Sequence, residues 1–204
     1  MQNIENIIFD LGGVLLDIDY NLTRAAFEKL GVTNFDDMYS QANADKLFQK
    51  LETGSIDEEE FYTQLNNSTG MNLSTEEIKE AWNAMLLTFR EDSLKFLEQL
   101  KGKYKIFLLS NTNKIHHTSF YEIYHQKKRA KKFEEYFDKA FYSFEISLRK
   151  PDEECYKWVL KDLNIDPEKT LFIDDSINNI EGANKVGLQT LLLSPEKRIE
   201  TIGL

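Results

Sequence analysis

The chain has 204 residues, 41% of them hydrophobic and including 14 Phe and 9 Tyr, which suffices for one large domain or a core domain with a modest insertion. Its net charge of −10 argues against a nucleic-acid partner, which binds a basic face, but not against a phosphorylated small molecule, whose charge one lysine and one metal offset locally. The lone cysteine, Cys155, excludes a disulfide framework and a cysteine-based metal site and reads as a small apolar helix residue.

The amino terminus, Met1-Gln2-Asn3-Ile4-Glu5, lacks the basic start and long apolar stretch of a signal peptide, and no run has membrane-span length. No membrane partner is expected, and the expected compartment is the cytoplasm.

Ile7-Ile8-Phe9 is a short apolar run without alternation that ends in Asp10, and Gly12-Gly13 break it at once. The pattern predicts a strand buried on both faces with a carboxylate at its carboxyl end. From Asp19 to Phe89 no strand pattern stands out. Thr23–Leu30, Asp36–Leu51, Ile56–Leu65 and Ser74–Phe89 show helical spacing, with Trp82 and Phe89 as core candidates, and Ser74 with Glu77 matches a capping box. This stretch reads as a small helical module inserted after the first strand and its turn.

Ser93–Leu100 reads as a helix that Asp92 or Ser93 caps, with Leu94, Phe96, Leu97 and Leu100 apolar. Ile106–Leu109 is the second strong strand and runs into Ser110-Asn111-Thr112-Asn113. His116–Lys132 carries Lys127, Lys128, Arg129, Lys131 and Lys132, a solvated helix face or, less simply, an interaction site. His116 and His117 fit surface or local hydrogen-bonding roles better than an approach to substrate. A weaker strand, Ala140–Phe144, precedes Arg149-Lys150-Pro151 and a helix over Asp152–Leu163. Thr170–Ile173 is the third strong strand and ends in Asp174-Asp175-Ser176. A helix over Asn179–Val186, closed by Gly187, and a weak strand over Gln189–Leu193 complete the chain.

Strands alternating with helices predict an α/β fold with a parallel sheet. In one sheet, Asp10, Ser110–Asn111, Lys150 and Asp174–Asp175 would converge on the carboxyl edge, where open α/β sheets bind ligands. Such a set has a joint use. The acids can hold a hard divalent cation, Mg²⁺ best of all, which keeps waters and takes substrate phosphate oxygens. The cation and Lys150 would neutralise phosphate charge so that an anionic Asp10 could attack. Ser110 and Asn111 would donate to the phosphoryl oxygens.

Phe-Asp-Leu-Gly-Gly-Val-Leu, Leu-Leu-Ser-Asn-Thr-Asn, Arg-Lys-Pro and Phe-Ile-Asp-Asp, in that order, resemble the four motifs of the haloacid dehalogenase superfamily. The resemblance runs from Asp10 to Glu181-Gly182-Ala183. It implies a Rossmann-like core over residues 1–18 and 90–204, with a helical cap over residues 19–89. Within the superfamily the chain is most similar to small bacterial sugar-phosphate phosphatases, α-D-glucose-1-phosphate phosphatase in particular. Asp17-Ile18-Asp19, Ser110-Asn111-Thr112-Asn113 and Asn178-Asn179-Ile180-Glu181-Gly182-Ala183-Asn184 are the shared strings.

The resemblance implies Mg²⁺-dependent hydrolysis of a small phosphorylated metabolite, such as a hexose 1-phosphate, through phospho-Asp10. Asp10 would be nucleophile and metal ligand, and Gly12 would lend its main-chain carbonyl to the metal. Ser110 and Asn111 would bind phosphate, and Lys150 would hold nucleophile and phosphate together. Asp174 and Asp175 would complete the metal site, with Asp175 favoured as the direct ligand.

The departure from the pattern is Gly12, where most phosphatases of the superfamily have a second acid. Acid–base help of that sort is worth roughly 10²–10⁴-fold. A sugar 1-phosphate needs less of it, because its anomeric leaving group is less basic than an ordinary alkoxide. Asp17 or Asp19 is a possible substitute donor. Two alternatives follow: a catalytically impaired binding or regulatory protein, and a 2-haloacid dehalogenase, which needs no metal and leaves Asp174–Asp175 unexplained.

Overall fold

The computed structural model describes residues 3–39 and 45–204. Strand β1 (Asn6–Phe9) is followed by a tight turn and a short strand β2 (Leu16–Ile18). Helices α1 (Tyr20–Lys29), α2 (Phe35–Met38), α3 (Lys46–Glu52), α4 (Glu58–Thr69) and α5 (Thr75–Asn83) come next, and β3 (Leu86–Phe89) closes that segment. Thereafter α6 (Glu91–Leu100), β4 (Lys105–Ser110), α7 (Lys114–Gln126), β5 (Lys139–Tyr142) and α8 (Ser143–Ile146) alternate. The chain continues through α9 (Glu153–Leu163), β6 (Thr170–Asp174), α10 (Ile177–Lys185) and β7 (Gln189–Leu192).

Five strands form one parallel sheet in the order β5-β4-β1-β6-β7. The unalternating apolar runs reflect burial on both faces. Ile7, Phe9, Ile106, Leu108, Leu171 and Ile173 pack into one cluster with Leu94, Leu97 and Leu100 of α6 and Phe120 and Tyr124 of α7. Ile8, Phe107, Leu109, Phe141 and Phe172 pack on the other face against Cys155, Tyr156 and Val159 of α9 and Ile180 and Ala183 of α10. Phe9 is level with Leu108 on one side and Ile173 on the other. That register brings Asp10, Ser110 and Asp174 to the same edge.

Helices α1 to α5 bury their apolar faces in a third cluster, centred on Phe27, Phe35, Phe48, Phe61 and Trp82, which Ile115 of α7 joins. The Ser74 capping box forms as the sequence suggested. The helix expected to reach Phe89 stops at Asn83, however, and Leu86–Phe89 is a strand antiparallel to β2. Backbone bonds from Asp19 N to Met85 O and from Arg90 N to Leu15 O, each 2.9 Å, close both ends of this two-stranded ribbon. Pairing with the otherwise open edge of β2 overrides the local helical spacing.

The expected helix Asp36–Leu51 is two elements, α2 and α3, and its portion over residues 40–44 lies outside the described residues. Asp45 starts α3 by accepting from Leu47 N at 2.8 Å and Phe48 N at 3.2 Å, a true N-cap. The strand expected over Ala140–Phe144 ends at Tyr142, where the buried Ser143 opens α8. The basic run is a tied surface rather than a free one. Lys127 reaches Glu91 at 3.0 Å, Lys131 reaches Glu98 at 2.6 Å, and Arg129 also pairs with Glu91 while lying 4.4 Å from the Tyr124 ring centroid. Among the described residues no helix is long and apolar enough to cross a membrane.

Candidate active site

Lys150 is wholly buried, and its Nζ donates to Asp10 Oδ1 and to Asp174 Oδ2, each at 2.7 Å. Burial alone would lower the ammonium's pKa, but the two carboxylates outweigh it and keep the group protonated. Asn111 fixes the lysine from behind, since its side-chain Nδ2 donates to Lys150 O at 2.8 Å and its Oδ1 accepts from Lys150 N at 2.9 Å. One N–H and the carbonyl of the Asn111 side chain are thus used on Lys150, and a second N–H remains at the cavity wall. Ser110 ends β4 beside it, and the loop beyond is anchored by Ser143, whose hydroxyl donates to Thr112 O at 2.8 Å and accepts from Thr112 N at 2.9 Å.

The two adjacent acids have different surroundings. Asp174 is fully buried and, besides Lys150, accepts from Ser176 N at 2.8 Å and from Asn179 Nδ2 at 3.0 and 3.1 Å. Asp175 lines the cavity described below. Its carboxylate lies against Gly13, where an added Cβ would stand 2.1 Å from Asp175 Oδ2. Gly13 also has φ +69°, so only glycine fits there without strain. At Gly12 an added Cβ would meet only the Cδ1 of Ile18, at 2.9 Å, the mobile end of a side chain.

Arg90 clamps this turn. Its Nε donates to Asp17 Oδ1 at 2.7 Å, and its Nη1 donates to the carbonyls of Gly13 and Val14. Asp17 is thereby held in an ion pair, and Asp19 caps α1 by accepting from Asn21 N at 2.9 Å. Neither lines the cavity.

The site opens into a cavity of about 390 Å³, within the usual range for small-molecule pockets. Asp10, Gly12, Ser110, Asn111, Lys150 and Asp175 line one side, and Tyr20, Tyr39, Gln49, Glu52 and Met85 the other. His116 also lines it, on α7 rather than on a loop. It is buried, stacked 4.4 Å from the Trp82 ring, with Nε2 3.0 Å from the Trp82 carbonyl, which can only accept, so Nε2 carries the proton. Burial lowers its pKa to about 4 and keeps the ring neutral.

Carboxylate oxygens of Asp10, Asp174 and Asp175 come within 4.8 Å of one another. Burial pushes the Asp10 carboxyl up against the pull of Lys150, and the charges of Asp174 and Asp175 add to the rise. Burial, then Asp174, likewise raises Asp175. Three converging acids balanced by a single ammonium fit a hard divalent cation with oxygen ligands. Sequence reasoning missed Asn179, Arg90 and Ser143 as supports. Asn179 lay within a motif string already noted, but nothing in the sequence marks Arg90 or Ser143.

A family model of haloacid dehalogenase-like hydrolases matches residues 4–187. The chain belongs to that family. D-ribitol-5-phosphate phosphatase of Bacteroides thetaiotaomicron is 35% identical to it over 190 residues, covering 92% of this chain and 90% of that one. Sesquiterpene phosphatase of Aspergillus oryzae is 29% identical over 92% of this chain and 88% of its own length. A HAD family enzyme of B. thetaiotaomicron, solved with magnesium and inorganic phosphate, superposes with a TM-score of 0.87 at 33% identity, covering 98% of this chain and 100% of that one. The chain is thus a haloacid dehalogenase-like hydrolase of the phosphatase kind.

The two glycines differ in an experimentally accessible way. Gly13→Ala is expected to displace Asp175 and to abolish metal-dependent activity, whereas Gly12→Ala, which only turns Ile18, keeps at least a third of the wild-type kcat. Parallel assays and magnesium titrations check this. His116 supplies a pH test. Its pKa is depressed in the folded state, so its contribution is full above the ordinary value of 6.5 and is lost as pH falls toward about 4. The Tm of wild type minus that of His116→Gln is expected to decrease across that interval in thermal melts.

Proposed function

We propose that the chain is a magnesium-dependent phosphatase that hydrolyses a phosphorylated sugar or sugar alcohol, hexose 1-phosphates and pentitol phosphates included, through phospho-Asp10. The observation that carries the reading is the buried Lys150 ammonium joining Asp10 to Asp174 at the wall of a cavity that Asp175 also lines. The phosphatases and the magnesium- and phosphate-bound enzyme among its relatives support it.

Asp10, Asp175 and the Gly12 carbonyl would hold the magnesium ion, with Asp174 behind them. The ion supplies positive charge against the phosphoryl oxygens. Lys150, by gripping Oδ1, fixes the rotation of the Asp10 carboxylate and presents its ammonium to the phosphate. Asp10 attacks phosphorus, forming the acyl phosphate as the ester P–O bond breaks, and the leaving oxygen takes a proton. Water then attacks the same phosphorus, releasing inorganic phosphate and restoring the carboxylate. The Ser110 hydroxyl and the remaining Asn111 side-chain N–H would donate to phosphoryl oxygens, and Asn111 also holds Lys150 in place.

With glycine at position 12 and both Asp17 and Asp19 committed elsewhere, the leaving oxygen draws its proton from water. Esters with weakly basic leaving oxygens, anomeric phosphates among them, are favoured in such a site. Asp10→Asn is expected to reduce phosphate release at least 10³-fold, and EDTA to abolish it reversibly. Wild-type turnover in the Asn variant would overturn the reading. Gly12→Asp is expected to raise kcat for alkyl phosphates tenfold or more and to change p-nitrophenyl phosphate hydrolysis far less, as a leaving-group series would show.

A further inference from the structure

The same cavity holds a second charged pair that the chemistry above does not use. Glu52, at the end of α3, accepts from Arg149 Nε at 2.8 Å through Oε2 and from the Tyr39 hydroxyl at 3.1 Å through Oε1. Its side chain is 4% exposed and that of Arg149 19%, and both residues line the cavity. Burial raises the Glu52 carboxyl, against the pull of Arg149.

The geometry points to this Glu52–Arg149 pair as the subsite that holds the hydroxyls of the leaving group and selects a neutral polyol end over one bearing a second anion. The inference rests on the phosphatase reading. A buried ion pair recovers its desolvation cost only when its remaining hydrogen-bonding capacity is used. Here each carboxylate oxygen has one protein partner, and among the described residues the Arg149 Nη groups have none. A hydroxyl both donates and accepts, so neighbouring hydroxyls can give to Glu52 and take from Arg149 in one arrangement. A carboxylate or a fully ionised second phosphate can only accept, and would meet the charge of the buried Glu52 side chain. That is discrimination by repulsion as well as attraction.

Reach is set by the chain itself. Arg149 directly precedes Lys150, so its Cα lies about 3.8 Å from that of the residue that meets the phosphate. The pair is thus joined through one peptide bond to the lysine of the phosphate end, and the Lys150 charge acts on the Glu52 carboxyl. Gln49, one helical turn before Glu52 on α3, lines the same wall.

The test is a comparison of kcat/KM for D-ribitol 5-phosphate, fructose 1,6-bisphosphate and p-nitrophenyl phosphate, with Mg²⁺, in wild type, Glu52→Gln and Tyr39→Phe. Glu52→Gln is expected to lower the ratio of the ribitol ester to p-nitrophenyl phosphate at least tenfold, mainly through KM, and to raise the ratio of the bisphosphate to the ribitol ester. Tyr39→Phe, which keeps the ion pair, is expected to shift the first ratio in the same direction by a smaller factor, and decides the matter if Glu52→Gln does not fold. Ratios unchanged while all rates fall together would show a pair that only fastens α3 to the Lys150 loop, and would overturn the inference alone. Wild type inactive on every ester with Mg²⁺ would overturn the phosphatase reading, and this inference with it.

Discussion

One buried ammonium organises this protein. Lys150 carries no exposed surface, and its Nζ is shared between Asp10, after the central strand, and Asp174, at the end of its neighbour. Removing one partner of such a buried pair leaves a charge without solvent or counterion, a loss of about 3–5 kcal/mol in comparable cases. Every nearby support serves that contact. Asn111 grips the lysine's backbone on both sides, and Ser176 and Asn179 fill the oxygens of Asp174. The Asp10 carboxylate is thereby oriented before any substrate arrives, as preorganised electrostatic catalysis through it would require.

The turn after β1 is built around a different constraint, a close approach. Gly13 leaves room for Asp175, and Arg90 secures the turn through two of its carbonyls and Asp17. Arg90 follows β3 directly, so the ribbon that closes the inserted helices also fixes the wall of the catalytic site. The aromatic cluster around Trp82 and the catalytic edge are joined there and at His116, which stacks on Trp82 while lining the cavity. The wall facing the acids and the lysine comes instead from Tyr20 of α1, Tyr39, Gln49 and Glu52 of α3, and Met85.

Much of this was legible in the chain. Burial on both faces writes itself into apolar runs without alternation, so the strands that became β1, β4 and β6 stood out, and with them the acids and polar residues at their ends. The capping box of α5 was equally plain, because its hydrogen bonds lie within four residues. The strand Leu86–Phe89 was not legible: its sequence suits a helix end, and only the distant edge of β2 makes it a strand. Asn111 shows the same limit on function. Its type and place suggest phosphate, but nothing local in the sequence shows that its side chain also holds a backbone 39 residues away.

The sequence by itself determined the order of the strand-end groups and hence the chemistry they share, since residue type and strand polarity are local properties. It also determined that position 12 has no acid. Tertiary structure alone decided which glycine is sterically required, that Asp17 and Asp19 are bound elsewhere, and that Glu52 meets Arg149 across 97 residues. Those are contacts between segments distant in sequence, and only the packing of the folded chain specifies them.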